Sequence, residues 1–317
     1  MLLSVKGLTA HYQTPTGLVK AVEDVNFDLN KNESLAIVGE SGCGKTTLAL
    51  SIIKILKQPG RIVSGQVLFE GRDILTMPDN ELRQIRGARV GMIFQQPQAY
   101  LNPVLKSGFQ IAEVLEIHQG YDHQRAMREA VRLLKEVGIA SPEETIHRYP
   151  FELSGGMAQR VIIAMALACS PSLIIADEPT SALDVTVQAQ ILETIRRLRE
   201  EHETSLILIT HDLSLAAEAC AKIVVMYAGK AIEAGDRESV FKHPKHPYTQ
   251  LLIASIPKIG ASEEFPGIAG SPPNLINPPT GCRFHPRCPQ VMDVCLNLEP
   301  RPTSTSSGQK VACHLYK

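Results

Sequence analysis

The stretch Gly39-Glu40-Ser41-Gly42-Cys43-Gly44-Lys45-Thr46 constrains this chain more than any other. It reads as glycine, four residues, then glycine, lysine and threonine. It stands between a short apolar run, Glu33 to Val38, and a segment of helical periodicity, Thr46 to Leu56. A strand must therefore pass through a tight loop into a helix, the opening of an α/β nucleotide-binding core. Small residues let backbone N–H groups turn inward around an anion, and the helix N-terminus adds about half a positive charge. Gly39, Ser41, Gly42, Cys43, Gly44 and Thr47 line such a phosphate cradle, Lys45 reaches the outer phosphates, and the Thr46 hydroxyl is placed to ligate magnesium. Cys43 fits as a small filler. A thiol at a helix N-terminus also has its pKa lowered, so oxidation sensitivity is the sharper expectation there.

Further apolar runs of strand length recur at Val90 to Phe94, Leu173 to Ala176, Leu206 to Thr210 and Ile223 to Met226, with helical stretches such as Val185 to His202 between them. This alternation favours a largely parallel sheet. From about Pro97 the pattern changes: Ile111 to His118 and Arg125 to Val137 read as helices with no strand between them, a helical insertion over roughly 97–160. After residue 255 it changes again, since ten of the 21 prolines fall in 256–317 and a Ser/Thr/Gly-rich piece lies at Thr303 to Gly308. The expected organisation is a nucleotide-binding domain over 1–255 and an irregular extension over 256–317.

With 317 residues, 44% of them apolar and 21% charged, the chain can bury a core without staples. A formal charge of −1 offers no basic surface for a phosphate backbone, so nucleic acid is not expected as a partner. The apolar runs Val161 to Cys169 and Leu173 to Ala176 are far shorter than the roughly 20 residues that cross a bilayer. The opening residues lack the pattern of a secretory signal, and a cytoplasmic location is expected.

Two more constellations carry chemistry. The strand Leu173 to Ala176 delivers Asp177 and Glu178 to its C-terminal edge, where Asp177 can hold a magnesium shell and Glu178 can take a proton from an attacking water. Leu153-Ser154-Gly155-Gly156-Met157 opens a long apolar helix running to about Cys169, with Ser154 as N-cap. One chain does not need two γ-phosphate sites. The second helix N-terminus is read as serving a nucleotide held by another subunit, in a head-to-tail pair.

These residues resemble the ATP-binding-cassette family, whose signature LSGGQ corresponds to LSGGM at Leu153 to Met157; the glutamine is replaced by Met157, with Gln159 and Arg160 following. Gln95, Ser181-Ala182-Leu183-Asp184 and His211 occur in the family's order. The resemblance implies a RecA-like P-loop core with a mostly parallel sheet, an N-terminal antiparallel β region and the helical insertion. It further implies that Gln95 contacts magnesium and reports on the membrane partner, that Asp184 communicates across the dimer, that His211 holds the γ-phosphate and the water, and that Tyr12 stacks on adenine. Glu178, His211, Gln95 and Lys45 form the expected catalytic set, with Thr46, Gln95 and Asp177 on magnesium.

The tail narrows the resemblance. His246-Pro-Tyr-Thr249, Leu251 to Pro257 and Gly281-Cys282-Arg-Phe-His-Pro-Arg-Cys288-Pro289 look like the C-terminal extension of oligopeptide and dipeptide importer ATPases, as do Tyr149 to Met157, Phe94-Gln-Gln-Pro97 and Leu101-Asn-Pro103. Cys282, Cys288, Cys295 and Cys313 lack the two-residue spacing common in zinc ribbons. On spacing alone they fit either zinc or an iron–sulfur cluster. The subfamily resemblance favours a [4Fe–4S] cluster, with zinc or unliganded thiols as the alternatives, and a tail rich in proline and short of apolar residues makes a structural role the expectation for any such group. His285 and His314 lie close by and are left out of the ligand set. The expected partners are a second cassette ATPase, by resemblance a related heterologous chain, two transmembrane permease subunits and, indirectly, an extracytoplasmic solute-binding protein. The cargo is open among peptides, nickel and oligosaccharides. A soluble cassette ATPase acting on DNA or ribosomes is the alternative function, disfavoured because only about 110 residues separate Lys45 from Ser154 and the chain has one phosphate loop.

Overall fold

The computed structural model describes residues 1–181, 183–256 and 267–316. The expected motif at Leu251 to Pro257 therefore ends just outside the described residues, and Ala182 lies outside them too. The strands are β1 (Leu3–Thr14), β2 (Gly17–Leu29), β3 (Ser34–Val38), β4 (Gly60–Phe69), β5 (Arg72–Asp73), β6 (Val90–Ile93), β7 (Leu173–Asp177), β8 (Ser205–Thr210), β9 (Lys222–Tyr227), β10 (Lys230–Asp236), β11 (Thr303–Ser304) and β12 (Lys310–Val311). They fall in two compact units. One comprises residues 1–30, 34–75 and 208–317, the other 31–33 and 76–207.

In the first unit β2, β1, β4 and β5 form an antiparallel sheet in that order. Leu3, Val5, Leu8 and Ala10 of β1 are buried, and Tyr12 lies opposite Val19 on one side and Gly60 on the other. The run Ser34–Val38 is buried at every position, as expected of a strand covered on both faces. It pairs in parallel with β9, Leu35 opposite Lys222 and Val38 opposite Val225. β10 returns antiparallel to β9. The tail then supplies a strand the sequence did not announce: β12 pairs with β10, setting Val311 opposite Glu233, and Val311 is fully buried. The rest of the described tail is short pieces, in keeping with its prolines. It packs through Phe284, whose ring centroid lies 5.1 Å from that of Tyr227 and 5.4 Å from that of Tyr248.

In the second unit β6 and β7 are parallel, Val90 opposite Leu173 and Ile93 opposite Ala176. The helix Gly155–Leu167 is covered on most sides, with Val161, Ile162, Ile163 and Ala164 buried. It approaches β6 so closely that a Cβ at Gly91 would stand 2.3 Å from the Ala166 carbonyl oxygen, so only glycine fits there. Helices Ser107–Gln119 and His123–Glu136 are the expected helical pair, each longer than the apolar core that announced it. The second is capped by Asp122, which accepts from the Arg125 N–H at 2.8 Å, and it buries Ala126, Ala130, Leu133 and Leu134 on one stripe. No helix among the described residues is long and apolar enough to cross a membrane.

Candidate active site

In the first unit the all-buried strand ends at Val38 and the chain turns through Gly39 into the loop that starts the helix Lys45–Ile52. The turn is pressed from two sides. A Cβ at Gly39 would stand 2.2 Å from the Met226 carbonyl oxygen, and one at Gly44 only 2.0 Å from that of Ala21. The Gly229 N–H holds the loop by donating to the Cys43 carbonyl at 2.9 Å. Lys45 is buried, and its ammonium donates to the carbonyls of Gly39 (2.7 Å) and Glu40 (3.1 Å). Its remaining neighbour is the Cys43 sulfur at 3.9 Å, a weak acceptor that a phosphate oxygen outcompetes. Ser41, Gly42 and Thr46 lie on the exposed side of the loop. Tyr12 sits 3.3 Å, hydroxyl to hydroxyl, from Thr47 and so belongs to the same corner of the unit. His211 is exposed at the C-terminal end of β8, just before Asp212, which caps the next helix by accepting from Ser214 and Leu215.

In the second unit the buried strand β7 carries Asp177, 3% exposed, to its last position. Glu178 follows with φ 42, a left-handed conformation costly for a non-glycine residue, which turns its side chain away from the strand's alternation. Its carboxylate accepts from the Gln95 side-chain amide at 2.9 Å. Gln95 stands just past β6, so the parallel pairing of β6 and β7 is what brings the two together. Ser154 caps the helix Gly155–Leu167 by accepting from the Met157 N–H at 3.3 Å, and Asp184 caps Val185–Glu201 by accepting from Val187 at 3.0 Å. These two helix starts touch: a Cβ at Gly156 would meet Val187 at 2.9 Å, and one at Gly155 would meet Leu183 at 3.4 Å. A pocket of about 530 Å³ lies beside them, with Gln95, Gly155, Gln159, Pro179 and Leu183 in its lining.

The tail cysteines stand close enough to influence one another's ionisation. Burial pushes the Cys282 thiol up to about 11; the Phe284 N–H on its sulfur opposes this, while Cys295, Cys313 and Cys288 add to it. Cys288 and Cys313 are raised by burial in the same way, against N–H groups from Gln290 and Leu315. Three of the four sulfurs thus accept a backbone N–H from two residues further on. No group of three or more His, Cys, Asp or Glu among the described residues stands at separations that hold a metal ion. His285 and His314 are turned to the carbonyls of Cys282 (3.0 Å) and Leu298 (2.8 Å).

Comparison with known proteins decides the family. Residues 22–181 match the family model described as ABC transporter, and residues 232–295 match the one described as oligopeptide/dipeptide transporter, C-terminal region. The oligopeptide transport ATP-binding protein OppD of Haemophilus influenzae is 46% identical over 315 residues, covering 99% of this chain and 97% of that protein. This chain belongs to the ABC transporter ATPases. The dipeptide transport ATP-binding protein DppD of Bacillus subtilis is 45% identical over 316 residues, covering 99% of this chain and 94% of that protein. Among solved structures, a dimeric post-hydrolysis state of the ATP-binding cassette MJ0796 bound to ADP and Pi matches with a TM-score of 0.67 at 28% identity, over 74% of this chain and 99% of that one. The chain is an ATP-hydrolysing enzyme of the ABC kind with its P-loop fold.

One expectation for the ABC loop is corrected. Cys43 does not have the lowered pKa of an exposed thiol at a helix N-terminus, because it is 5% exposed and burial raises its pKa against the opposing pull of Lys45. Alkylation of the native chain near neutral pH is therefore expected to spare Cys43, and peptide mapping by mass spectrometry after iodoacetamide treatment checks this. The rate should climb only as pH rises beyond the ordinary thiol range, since a raised pKa keeps the unreactive thiol form longer. Two residues of these sites carried no local signal. Gln159 is buried beside the pocket with its side-chain nitrogen unpartnered among the described residues, and Glu40 is held by Arg287 of the tail.

Proposed function

We propose that this ABC ATPase powers the import of di- or oligopeptides from the cytoplasmic face of the membrane. The observation that carries the reading is the match of residues 232–295 to the oligopeptide/dipeptide transporter C-terminal region, together with full-length identity near 46% to a protein named for oligopeptide transport. Its partners in this reading are a second, related cassette ATPase and two transmembrane permease subunits, with an extracytoplasmic binding protein choosing the cargo.

Each residue then has a task. Gly39, Ser41, Gly42, Cys43, Gly44, Lys45, Thr46 and Thr47 hold the triphosphate, the loop through backbone N–H groups and Lys45 through its charge. Tyr12 stacks on adenine. Thr46, Gln95 and Asp177 hold magnesium. Glu178 accepts the proton of the attacking water, and the amide of Gln95 keeps that carboxylate aimed. His211 holds the γ-phosphate and the water. Ser154, Gly155 and Gly156 present a helix N-terminus to a nucleotide on the second cassette, and Asp184 links the two subunits.

Cys282, Cys288, Cys295 and Cys313 would hold a [4Fe–4S] cluster, with zinc the alternative. Four sulfurs are a soft donor set, and loading the site would release their protons, since burial raises the Cys282, Cys288 and Cys313 thiols against the opposing N–H groups. The group would cross-link loops that a proline-rich tail cannot hold by burial alone.

The reading is tested by tagging the chain in its host, solubilising membranes gently and identifying what copurifies. Two integral-membrane proteins and a second cassette ATPase are expected, with iron and sulfide in the complex and ATP-dependent uptake of a labelled peptide after reconstitution. Recovery only from the soluble fraction with ribosomes or DNA-repair proteins would overturn it.

A further inference from the structure

Glu40 is the second residue of the phosphate loop, and a carboxylate is an unexpected neighbour for a polyphosphate. The tail answers it. Arg287 grips the carboxylate with both arms of its guanidinium, Nη1 to Oε2 at 2.7 Å and Nη2 to Oε1 at 3.0 Å. The pair is sheltered, with 5% of the arginine side chain and 24% of the glutamate side chain exposed. Arg287 has little freedom to leave, since its remaining donors go to the carbonyls of Ala269 (2.9 Å) and Ile268 (3.2 Å) and to the Tyr227 hydroxyl (3.3 Å). The Glu40 backbone N–H is also committed, to the Tyr248 hydroxyl at 2.9 Å. Four residues earlier in the tail, Arg283 donates to the Ala228 carbonyl and to Glu23, beside the Gly229 N–H that holds the Cys43 carbonyl.

We propose that Arg287 is a positioning residue for ATP: it neutralises and fixes Glu40, making the segment between Cys282 and Cys288 a working part of the phosphate loop. A bidentate guanidinium pair cancels the carboxylate's field where triphosphate charge must accumulate, and it orients the first turn of the loop. Without Arg287 the same carboxylate repels the nucleotide and pulls the loop toward whatever donor it finds. The inference rests on the loop being the ATP site, as assigned above.

The test uses full-length Arg287→Met, Glu40→Gln, the double variant and Lys45→Ala. Affinity for MgATP is measured by titration with a fluorescent ATP analogue and competition, and KM and kcat by phosphate release. Arg287→Met is expected to weaken ATP binding on the order of tenfold and raise KM by a similar factor, with kcat changed by less than about threefold. Glu40→Gln loses the pairing of Arg287 but adds no repelling charge, so it should weaken binding by clearly less than Arg287→Met does. The double variant should recover most of the lost affinity, because the charge that needed an arginine is gone. Native affinity in Arg287→Met, or a double variant as weak as the single, would reduce the pair to a packing contact and overturn the inference. If Lys45→Ala also binds ATP normally, the loop assignment itself falls; if Lys45→Ala fails to bind while Arg287→Met is unaffected, only this inference falls.

Discussion

Glu178→Gln is expected to keep ATP binding and to lose steady-state hydrolysis by a factor of about 10² to 10⁴, the range that a positioned general base contributes. The substitution changes one group and little else. An amide has the shape of the carboxylate, and its oxygen can still accept from the Gln95 side chain, which stands 2.9 Å from Glu178. What it cannot do is take a proton from water. Phosphate release measures the loss, nucleotide binding confirms that the site survives, and size-exclusion chromatography with the copurified partner cassette and MgATP should show a trapped pair. Hydrolysis within a few-fold of the native rate would remove Glu178 from the role of base. Gln95→Ala leaves the carboxylate in place and removes the amide that stands 2.9 Å from it, together with the magnesium contact proposed for Gln95, and a loss of about tenfold or more is expected there too.

Much of this site was legible because its parts are local. A strand covered on both faces must be an apolar run, so Ser34–Val38 and Leu173–Asp177 announced themselves, and the residues that follow such strands are placed by them. The helix starting at Gly155 was equally plain, and the structure explains why Met157 in place of the family's glutamine leaves the cap intact: the cap uses its backbone N–H, 3.3 Å from Ser154, whatever its side chain is. What was not legible depends on distance along the chain or on burial. Strand β12 is two residues long and exists because β10 offers it an edge. Arg287 and Glu40 are 247 positions apart, and nothing near either one names the other. The buried Cys43 is the small filler that the loop needs, and the lowered pKa that a helix N-terminus alone implies is reversed for the same reason. The helix N-terminus is visible in the sequence, whereas the packing that excludes water from the thiol is not.

Gly44→Ala is expected to cost about 3 kcal/mol of stability and to abolish ATP binding, whereas Gly42→Ala should cost about 1 kcal/mol. Both glycines have positive φ, 104 for Gly44 and 78 for Gly42, so strain alone does not separate them. Space does. A Cβ at Gly44 would lie 2.0 Å from the Ala21 carbonyl oxygen, an overlap with backbone that no rotamer change relieves, and Ala21 is itself in the middle of β2. At Gly42 nothing lies within 4 Å of the added carbon. The loop in Gly44→Ala must therefore back away from β2, and the helix start at Lys45, with the N–H groups and the ammonium proposed to receive phosphate, moves with it. Thermal unfolding of the two variants without nucleotide measures the difference, on the order of 8 °C in Tm for Gly44→Ala and 2 to 3 °C for Gly42→Ala. Equal destabilisation of the two would mean that backbone strain, and not the close approach of the loop to β2, is what reserves these positions for glycine.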